Sequence, residues 1–244
     1  MQMRVLVRRS LSGDGMQRIV LGLLIVTTMG CASSGQVDPF EGFNRGVHNF
    51  NESADKRVLK PLAQGYRAVL PDPVERGIAN IFSNLDDPQV ALNQLLQGKP
   101  GLALSDLGRF VVNSTIGIAG IMDPATDMGM AKHREDFGQT FAVWGFGQGA
   151  YLVVPFWGPS NPRDGLGDIL GSAAFPPRYL DDVRARNVIY GLSVLNRRAG
   201  LLDAENIVSG DRYLFFRDAY LQRREFLIND GEVEDDFLDD FDDE

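Results

Sequence analysis

Apolar residues recur every three or four positions along most of this chain, and Asp-Pro or Asn-Pro pairs stand where several of the stripes begin. That combination predicts amphipathic helices, because one face of a 3.6-residue period collects such positions and an Asx cap followed by proline opens the first turn. Phe40, Phe43, Val47, Phe50, Ala54 and Val58 form the first stripe, expected to end near Pro61. Asp72-Pro73 opens a helix bearing Val74, Ile78, Ile81, Phe82 and Leu85; Asp87-Pro88 opens the next, with Val90, Leu92, Leu95 and Leu96, which stops at Gly98. Leu104, Leu107, Phe110 and Val111 mark a fourth helix, and Asn161-Pro162 starts a fifth with Leu166, Ile169, Leu170 and Ala173. Val188, Ile189, Leu192, Leu195, Ala199 and Leu202 make a sixth stripe, and the last helix runs from Asp211 to Asn229 before Gly231. Period-two alternation is scarce, and the best strand, Tyr151 to Val154, is cut by Pro155. The fold class is therefore all-α.

Two stretches do not fit an ordinary bundle. Ile116 to Gly129 is rich in Gly and Met, and Phe141 to Pro159 sets Phe141, Trp144, Phe146, Tyr151, Phe156 and Trp157 among glycines and prolines. Both are short of the ~20 apolar residues that cross a bilayer. They read either as core loops with aromatic plugs or as a half-depth surface with Trp and Tyr at headgroup level.

From Met16 the chain has a short basic segment, an apolar run from Ile19 to Val26 and small residues up to Gly30, the pattern of an export signal. Met16 is the expected start, and Arg8-Arg9 upstream also fits a twin-arginine signal. The one cysteine of the chain, Cys31, follows at the position where bacterial lipoproteins are acylated, although Thr28 replaces the usual Leu. Residues 1–30 are thus expected to be a lipoprotein signal peptide and 31–37 a lipidated linker. With each buried methylene contributing about 0.8 kcal/mol, several acyl chains anchor a protein durably. Ala32 rather than Asp after the cysteine points to the outer membrane.

The net charge of −9 is concentrated at the C-terminus, where residues 230–244 are rich in Asp and Glu and hold no Lys or Arg. Without that tail the body is near neutral, which excludes a basic field for nucleic acid. The tail reads as a disordered solvated run, or as a docking segment in which Phe237, Leu238 and Phe241 meet a basic partner. A single Cys and two His leave no disulfide framework and no Cys/His metal centre, and no cofactor is expected.

No catalytic constellation emerges. Asp136-Phe137-Gly138 after His133-Arg134 mimics kinase motifs without their nucleotide loop, and the glycine runs 145–149 and 165–171 lack the context of a dinucleotide fingerprint. His48 and His133 read as satisfied or solvated residues, while Asp86-Asp87 and Asp181-Asp182 read as helix caps.

Several segments together are specific: Asp38 to Arg45 (DPFEGFNR), Asn84-Leu85, Asn93 to Lys99 (NQLLQGK), Arg109 to Gly117 (RFVVNSTIG), Glu135 to Thr140 (EDFGQT), Gly158 to Ser160 with Arg163-Asp164, and Arg217 to Arg224 (RDAYLQRR). In these the chain resembles the MlaA family, also called VacJ, of outer-membrane lipoproteins, with residues 38–229 as the matching domain. Ala150, where the family usually has Pro, and Asn161-Pro162 depart from its pattern. The resemblance implies amphipathic helices arranged as a ring in the inner leaflet of the outer membrane, lipid-anchored beside a porin trimer. It further implies an amphipathic channel that takes mislocalised phospholipids from the outer leaflet to a periplasmic carrier of the Mla system and so keeps the membrane asymmetric. Gly117, Gly120, Met122, Asp123, Gly129, Phe137 and Gly138 would line or gate that channel, with glycines as hinges. Arg109, Arg163 and Arg217 would contact headgroup phosphate or instead pair with Asp106, Asp164 and Asp218. Trp144, Phe146, Tyr151, Phe156 and Trp157 would face the membrane. The alternatives are a lipoprotein that braces a porin or the envelope, and a membrane-anchored lipase.

Overall fold

The first helix does not stop at Pro61. A computed structural model describes residues 38–232, the side chain of Asn206 excepted. In it α1 (Glu41–Ala54) runs through a π-helical turn (Asp55–Leu59) into α2 (Lys60–Val69). Proline lacks an N–H and crowds the carbonyl four residues back. The wider π turn, closed by Lys60 N–H on the Asp55 carbonyl, carries the chain past that obstacle without a break.

Asp87-Pro88 likewise fails to open a new helix, because α3 runs unbroken over Asp72–Leu96 with Pro88 inside it. Lys132 Nζ donates to the Ser83 carbonyl at 2.8 Å and to the buried Asp87 carboxylate, gripping the helix on the turn before the proline. Asp86 and Asp87 are therefore not caps, and Asp72 is the first residue of α3, with no side-chain cap ahead of it. Beyond Leu96, Gly98 adopts φ 79° and the chain turns into α4 (Pro100–Thr115).

The short α5 (Pro124–Asp127) and α6 (Phe137–Val143) follow, capped by Asp123 and Asp136. The strand expected around Tyr151 exists as half of a small antiparallel hairpin, β1 (Leu152–Val154) with β2 (Gly158–Ser160), in which Leu152 pairs with Ser160 and Val154 with Gly158. Helix α7 (Pro162–Ala174) is capped by Asn161, which accepts from Asp164 N–H. A 3-10 turn (Pro176–Tyr179) leads to α8 (Val183–Ala199), capped by Asp182, and a second one (Asp203–Ile207) leads to α9 (Arg212–Ile228), capped by Asp211. Among the described residues the regular structure is helical apart from that hairpin.

The contacts between elements close on themselves. Helix α1 lies on β1, β2 on α9, α9 on α6, α6 on α7, α7 on the Pro176–Tyr179 turn, that turn on α8, and α8 on α2, which continues α1. Helix α3 touches both α8 and α6 and packs along α4, so the architecture is a ring of amphipathic helices. No helix among the described residues is long and apolar enough to cross a membrane.

The ring is inside out. Its largest fully buried side chains are Arg109, Gln94, Gln139, Asn44, Asn93, Thr140, Asp87 and Asp106, whereas the buried apolar residues are mostly alanines. On α4 the face Ala103, Asp106, Arg109 and Asn113 is buried and the face Leu104, Leu107 and Val111 is exposed, with Leu104 72% accessible. In water that exchange forfeits about 25 cal/mol for each Å² of apolar area left wet. Against hydrocarbon the same surface carries no such cost, and every polar group must then find its partner inside.

Candidate functional site

The polar interior is held by side-chain networks, each built from residues distant in sequence. At the α4–α5 corner the Arg109 guanidinium, 1% exposed, donates to both Asp123 carboxylate oxygens at 3.0 Å, to Thr126 Oγ1 at 3.1 Å and to the Met130 carbonyl. Asn113 Nδ2 adds a bond to Asp123 at 2.8 Å. Burial pushes the Asp123 carboxyl up, but the bonds from Thr126, Asn113 and Arg109 outweigh it and hold its pKa at about 2. The partner of Arg109 is thus Asp123 rather than Asp106, and the headgroup contact expected at Arg109 is corrected: the side chain is buried and both of its terminal nitrogens are bonded inside the protein.

A second network ties the C-terminal helix to the ring. Arg224 on α9 bonds Asp136 at 2.6 and 3.1 Å and reaches Asp164 at 2.8 Å, while Asp164 also accepts from Tyr220 Oη at 2.6 Å and from Asn161 at 2.7 Å. Burial raises the carboxyls of Asp136 and Asp164, yet Arg224 leaves both below their ordinary values. Gly138 lies against this cluster because any Cβ there would fall 2.7 Å from Asp164 and 2.8 Å from Arg224. Across the α6–α7 crossing a Cβ on Gly167 would stand 2.4 Å from the Gly138 nitrogen, so the two glycines let these helices touch backbone to backbone. Arg163 pairs with Asp164 at 2.9 Å and Arg217 with Asp218 at 2.9 Å, as the second reading of these arginines expected.

The Gly117–Gly120 segment is a packed turn, and the hinge expected there is corrected. Ile118, Ala119 and Gly120 all have positive φ, and Gly120 and Met122 N–H close bonds of 2.8 and 2.9 Å on Asn113 and Gly117 carbonyls. A Cβ on Gly117 would lie 2.4 Å from two carbonyl oxygens, and one on Gly120 would meet the Asn84 side chain at 2.9 Å. Met122 is exposed, Phe137 is half-buried at the start of α6, and Gly129 sits in an open left-handed turn.

Of the five aromatics, Trp144, Phe146, Phe156 and Trp157 are exposed. Their polar handles are turned in, with Trp144 Nε1 donating to the Leu96 carbonyl at 3.0 Å and Trp157 Nε1 to Asp168 at 3.1 Å. An indole with its N–H satisfied presents only apolar surface. Tyr151 is the exception and a correction, since it is 2% exposed and packs with Val153 and Tyr213. The pleat explains it, because side chains alternate along a strand and Tyr151 shares the inward face with Val153. Burial pushes its hydroxyl up to about 12.

Two functional asparagines escaped the sequence reading. On α1, Asn44 and Asn51 bond the edge of the hairpin, and Asn44 also takes Asp38, whose carboxylate receives the Tyr213 hydroxyl. Their seven-residue spacing, two turns of one face, was the available signal. Cys31, the signal segment and Phe237, Leu238 and Phe241 of the tail lie outside the described residues.

The chain is similar to known proteins over most of its length. A family model described as MlaA lipoprotein matches residues 36–227. The intermembrane phospholipid transport system lipoprotein MlaA of Escherichia coli (strain K12) is 35% identical over 229 residues, covering 87% of this chain and 89% of that protein. The protein of the same name from Haemophilus influenzae is 31% identical over 225 residues, covering 86% and 90%. A solved structure reported under the words "Structural basis for maintenance of bacterial outer membrane lipid asymmetry" superposes with a TM-score of 0.71 at 32% identity, covering 80% of this chain and 100% of that one.

Proposed function

This chain belongs to the MlaA lipoprotein family, and on that premise we propose that it is an outer-membrane lipoprotein that carries mislocalised phospholipids out of the outer leaflet and so maintains lipid asymmetry. The observation that carries the reading is the inversion of the ring, polar within and apolar without. The buried polar side chains satisfy one another, as they must where an unpaired polar group in hydrocarbon costs several kcal/mol, and the exposed Leu104, Val111, Ile169 and Phe156 are a surface that acyl chains can cover.

In this account residues 1–30 are removed on export, Cys31 is acylated, and the domain 38–229 lies in the inner leaflet with Trp144, Phe146, Phe156 and Trp157 in lipid. A porin trimer borders the apolar rim, and a periplasmic carrier receives the lipid. The role is transport rather than catalysis. His48 packs edge-on to Tyr213 at 5.7 Å and against Phe216 at 5.8 Å, and His133 bonds Asp106 at 2.9 Å, contacts that build the fold.

The test is the amount of phospholipid exposed on the surface of cells that lack the gene, complemented by the intact gene or by one ending at Asn229. Accumulation on deletion, cured by both forms, is the expected result and makes the acidic tail dispensable. Absence of accumulation on deletion overturns the transport reading in favour of a structural brace.

A further inference from the structure

Helix α8 carries four arginines, Arg184, Arg186, Arg197 and Arg198, and no acidic residue, in a chain whose net charge is −9. Helix α2 is likewise without an acid, but its two cations are spent, Lys60 on Glu205 at 2.5 Å and Arg67 on Asp203 at 3.0 Å. On α8 only Arg198 is committed in this way, to Asp55 at 2.7 Å and to Glu205. Among the described residues Arg184, Arg186 and Arg197, with Arg178 in the preceding turn, have no carboxylate within ion-pair distance. The adjoining acid Asp182 is spent on the helix cap, accepting from Arg184 and Ala185 N–H at 2.8 and 3.2 Å.

The helix packs on its neighbours through its other side, where Tyr190 meets Phe175 at 5.6 Å and Asn196 accepts from the Tyr66 hydroxyl at 3.2 Å. The exposed positions Arg184, Asn187, Val188, Gly191, Val194 and Arg197 recur every three or four residues and so share one face. Val188, 66% accessible, lies between arginines that the helical rise sets about 20 Å apart. Tyr179 and Leu180 of the preceding turn are exposed as well, and Arg186 Nη1 reaches the Leu180 carbonyl at 3.5 Å. Like charges on one helix repel one another, and valines among them lose stability in water. A layer of anionic headgroups over acyl chains answers both, with phosphate for the guanidinium groups and hydrocarbon for the valines and the arginine stems.

We propose that this face of α8 lies on the headgroup layer of the membrane and binds anionic phospholipid there through Arg184, Arg186 and Arg197. The inference rests on the membrane placement proposed above and adds a second, lipid-selective attachment beside the anchor. Because the rest of the chain is acidic, an anionic surface repels it everywhere else, and the cationic face fixes the side on which the ring meets the headgroups.

The experiment uses the mature full-length lipidated protein in vesicles, with Val188→Cys carrying an environment-sensitive fluorophore. Parent protein with an acylated Cys31 takes up no label, so a labelled parent reports failure of the anchoring reading and is told apart from failure at α8. Emission should shift to the blue in vesicles of equal phosphatidylcholine and phosphatidylglycerol relative to phosphatidylcholine alone, and concentrated salt should reverse the shift. Each of Arg184→Gln, Arg186→Gln and Arg197→Gln should lower the ratio of engaged to free helix about fivefold, the equivalent of about 1 kcal/mol for a basic residue at an anionic surface. Lysine at the same positions should keep the shift. Circular dichroism matched to wild type shows that the variants are folded, and the single substitutions carry the test if a combined one does not accumulate. Equal emission in the two kinds of vesicle, or a shift that the folded glutamine variants retain, would overturn the proposal and leave lipid transport untouched. Blue emission in phosphatidylcholine that disappears when the chain ends at Asn229 would assign the arginines to the chain's own acidic C-terminus and overturn it as well.

Discussion

Asn44 and Asn51 stand two turns apart on α1, and each clasps the backbone of the hairpin by two bonds. Asn44 donates to the Tyr151 carbonyl at 3.0 Å and accepts from Val153 N–H at 2.9 Å; Asn51 donates to the Val154 carbonyl at 3.0 Å and accepts from Phe156 N–H at 2.8 Å. An amide side chain presents an N–H and a C=O side by side as a peptide group does, so the two asparagines replace the missing neighbouring strand, and the second N–H of Asn44 is left for Asp38. The outward-facing tip at Phe156 and Trp157 takes its position from this clasp.

Removing the buried clasp is therefore costly. Asn44→Ala strands the Val153 N–H and the Tyr151 carbonyl in a buried site, a loss of about 2–6 kcal/mol at 1–3 kcal/mol for each orphaned group. Asn51→Ala, at a half-buried position, should cost about 1 kcal/mol. Thermal unfolding in a fixed detergent reads both, and faster hydrogen exchange confined to residues 151–157 in Asn51→Ala would show that the tip has been released.

The Arg109–Asp123 pair sets an acid limb. The folded pKa of Asp123, about 2, lies below its unfolded value near 4. The stability it contributes is thus fully present above pH ~4 and is lost as pH falls through about 2. Asp123→Asn should remove that part of the slope and cost about 3–5 kcal/mol at neutral pH, because Arg109 is left buried without its counter-charge. Unfolding curves across pH 2–7 for the two proteins check both statements.

The close approaches at glycine forbid side chains. Gly167→Ala places a Cβ on the Gly138 backbone, and Gly117→Val or Gly120→Val drives atoms into carbonyl oxygens or into Asn84. Each should destabilise by about 3 kcal/mol or more, because the obstructing atoms at Gly138 and Gly117 are backbone. Folded protein recovered from membranes should fall in all three variants, whereas a flexible hinge at Gly117 and Gly120 would leave recovery normal and alter lipid flow alone.

Trp144 and Trp157 are the only tryptophans of the chain, so its native fluorescence reports the outward face. In vesicles whose acyl chains carry bromine the emission should be blue-shifted and strongly quenched, as expected of indoles resting in the membrane interface. Emission quenched by aqueous acrylamide and indifferent to bromine would place both rings in water.

Much of the fold was legible in the sequence because local chemistry decided it. Asn161, Asp182 and Asp211 cap the helices that follow them, and Gly98 marks a helix end. Pro61 and Pro88 misled because tertiary and π-helical solutions, Lys132 across Ser83 and Asp87 in one case and a widened turn in the other, absorbed them. Periodicity located the two faces of α4 but is blind to which of them is buried, since Leu104 and Arg109 mark the same amphipathic helix in water and in lipid. The packed glycines and the Asp136–Arg224–Asp164 cluster depend on contacts between helices far apart in the chain, and no local pattern announces them.

The most direct test of the account is lipid transfer by the full lipidated protein in vesicles that hold labelled phospholipid in both leaflets, with a soluble periplasmic carrier outside. The account predicts protein-dependent delivery of label from the leaflet remote from the carrier, lost when the Arg224→Ala change opens the ring at Asp136 and Asp164. Delivery of the carrier-facing leaflet alone, unchanged whether or not the protein is present, would contradict it.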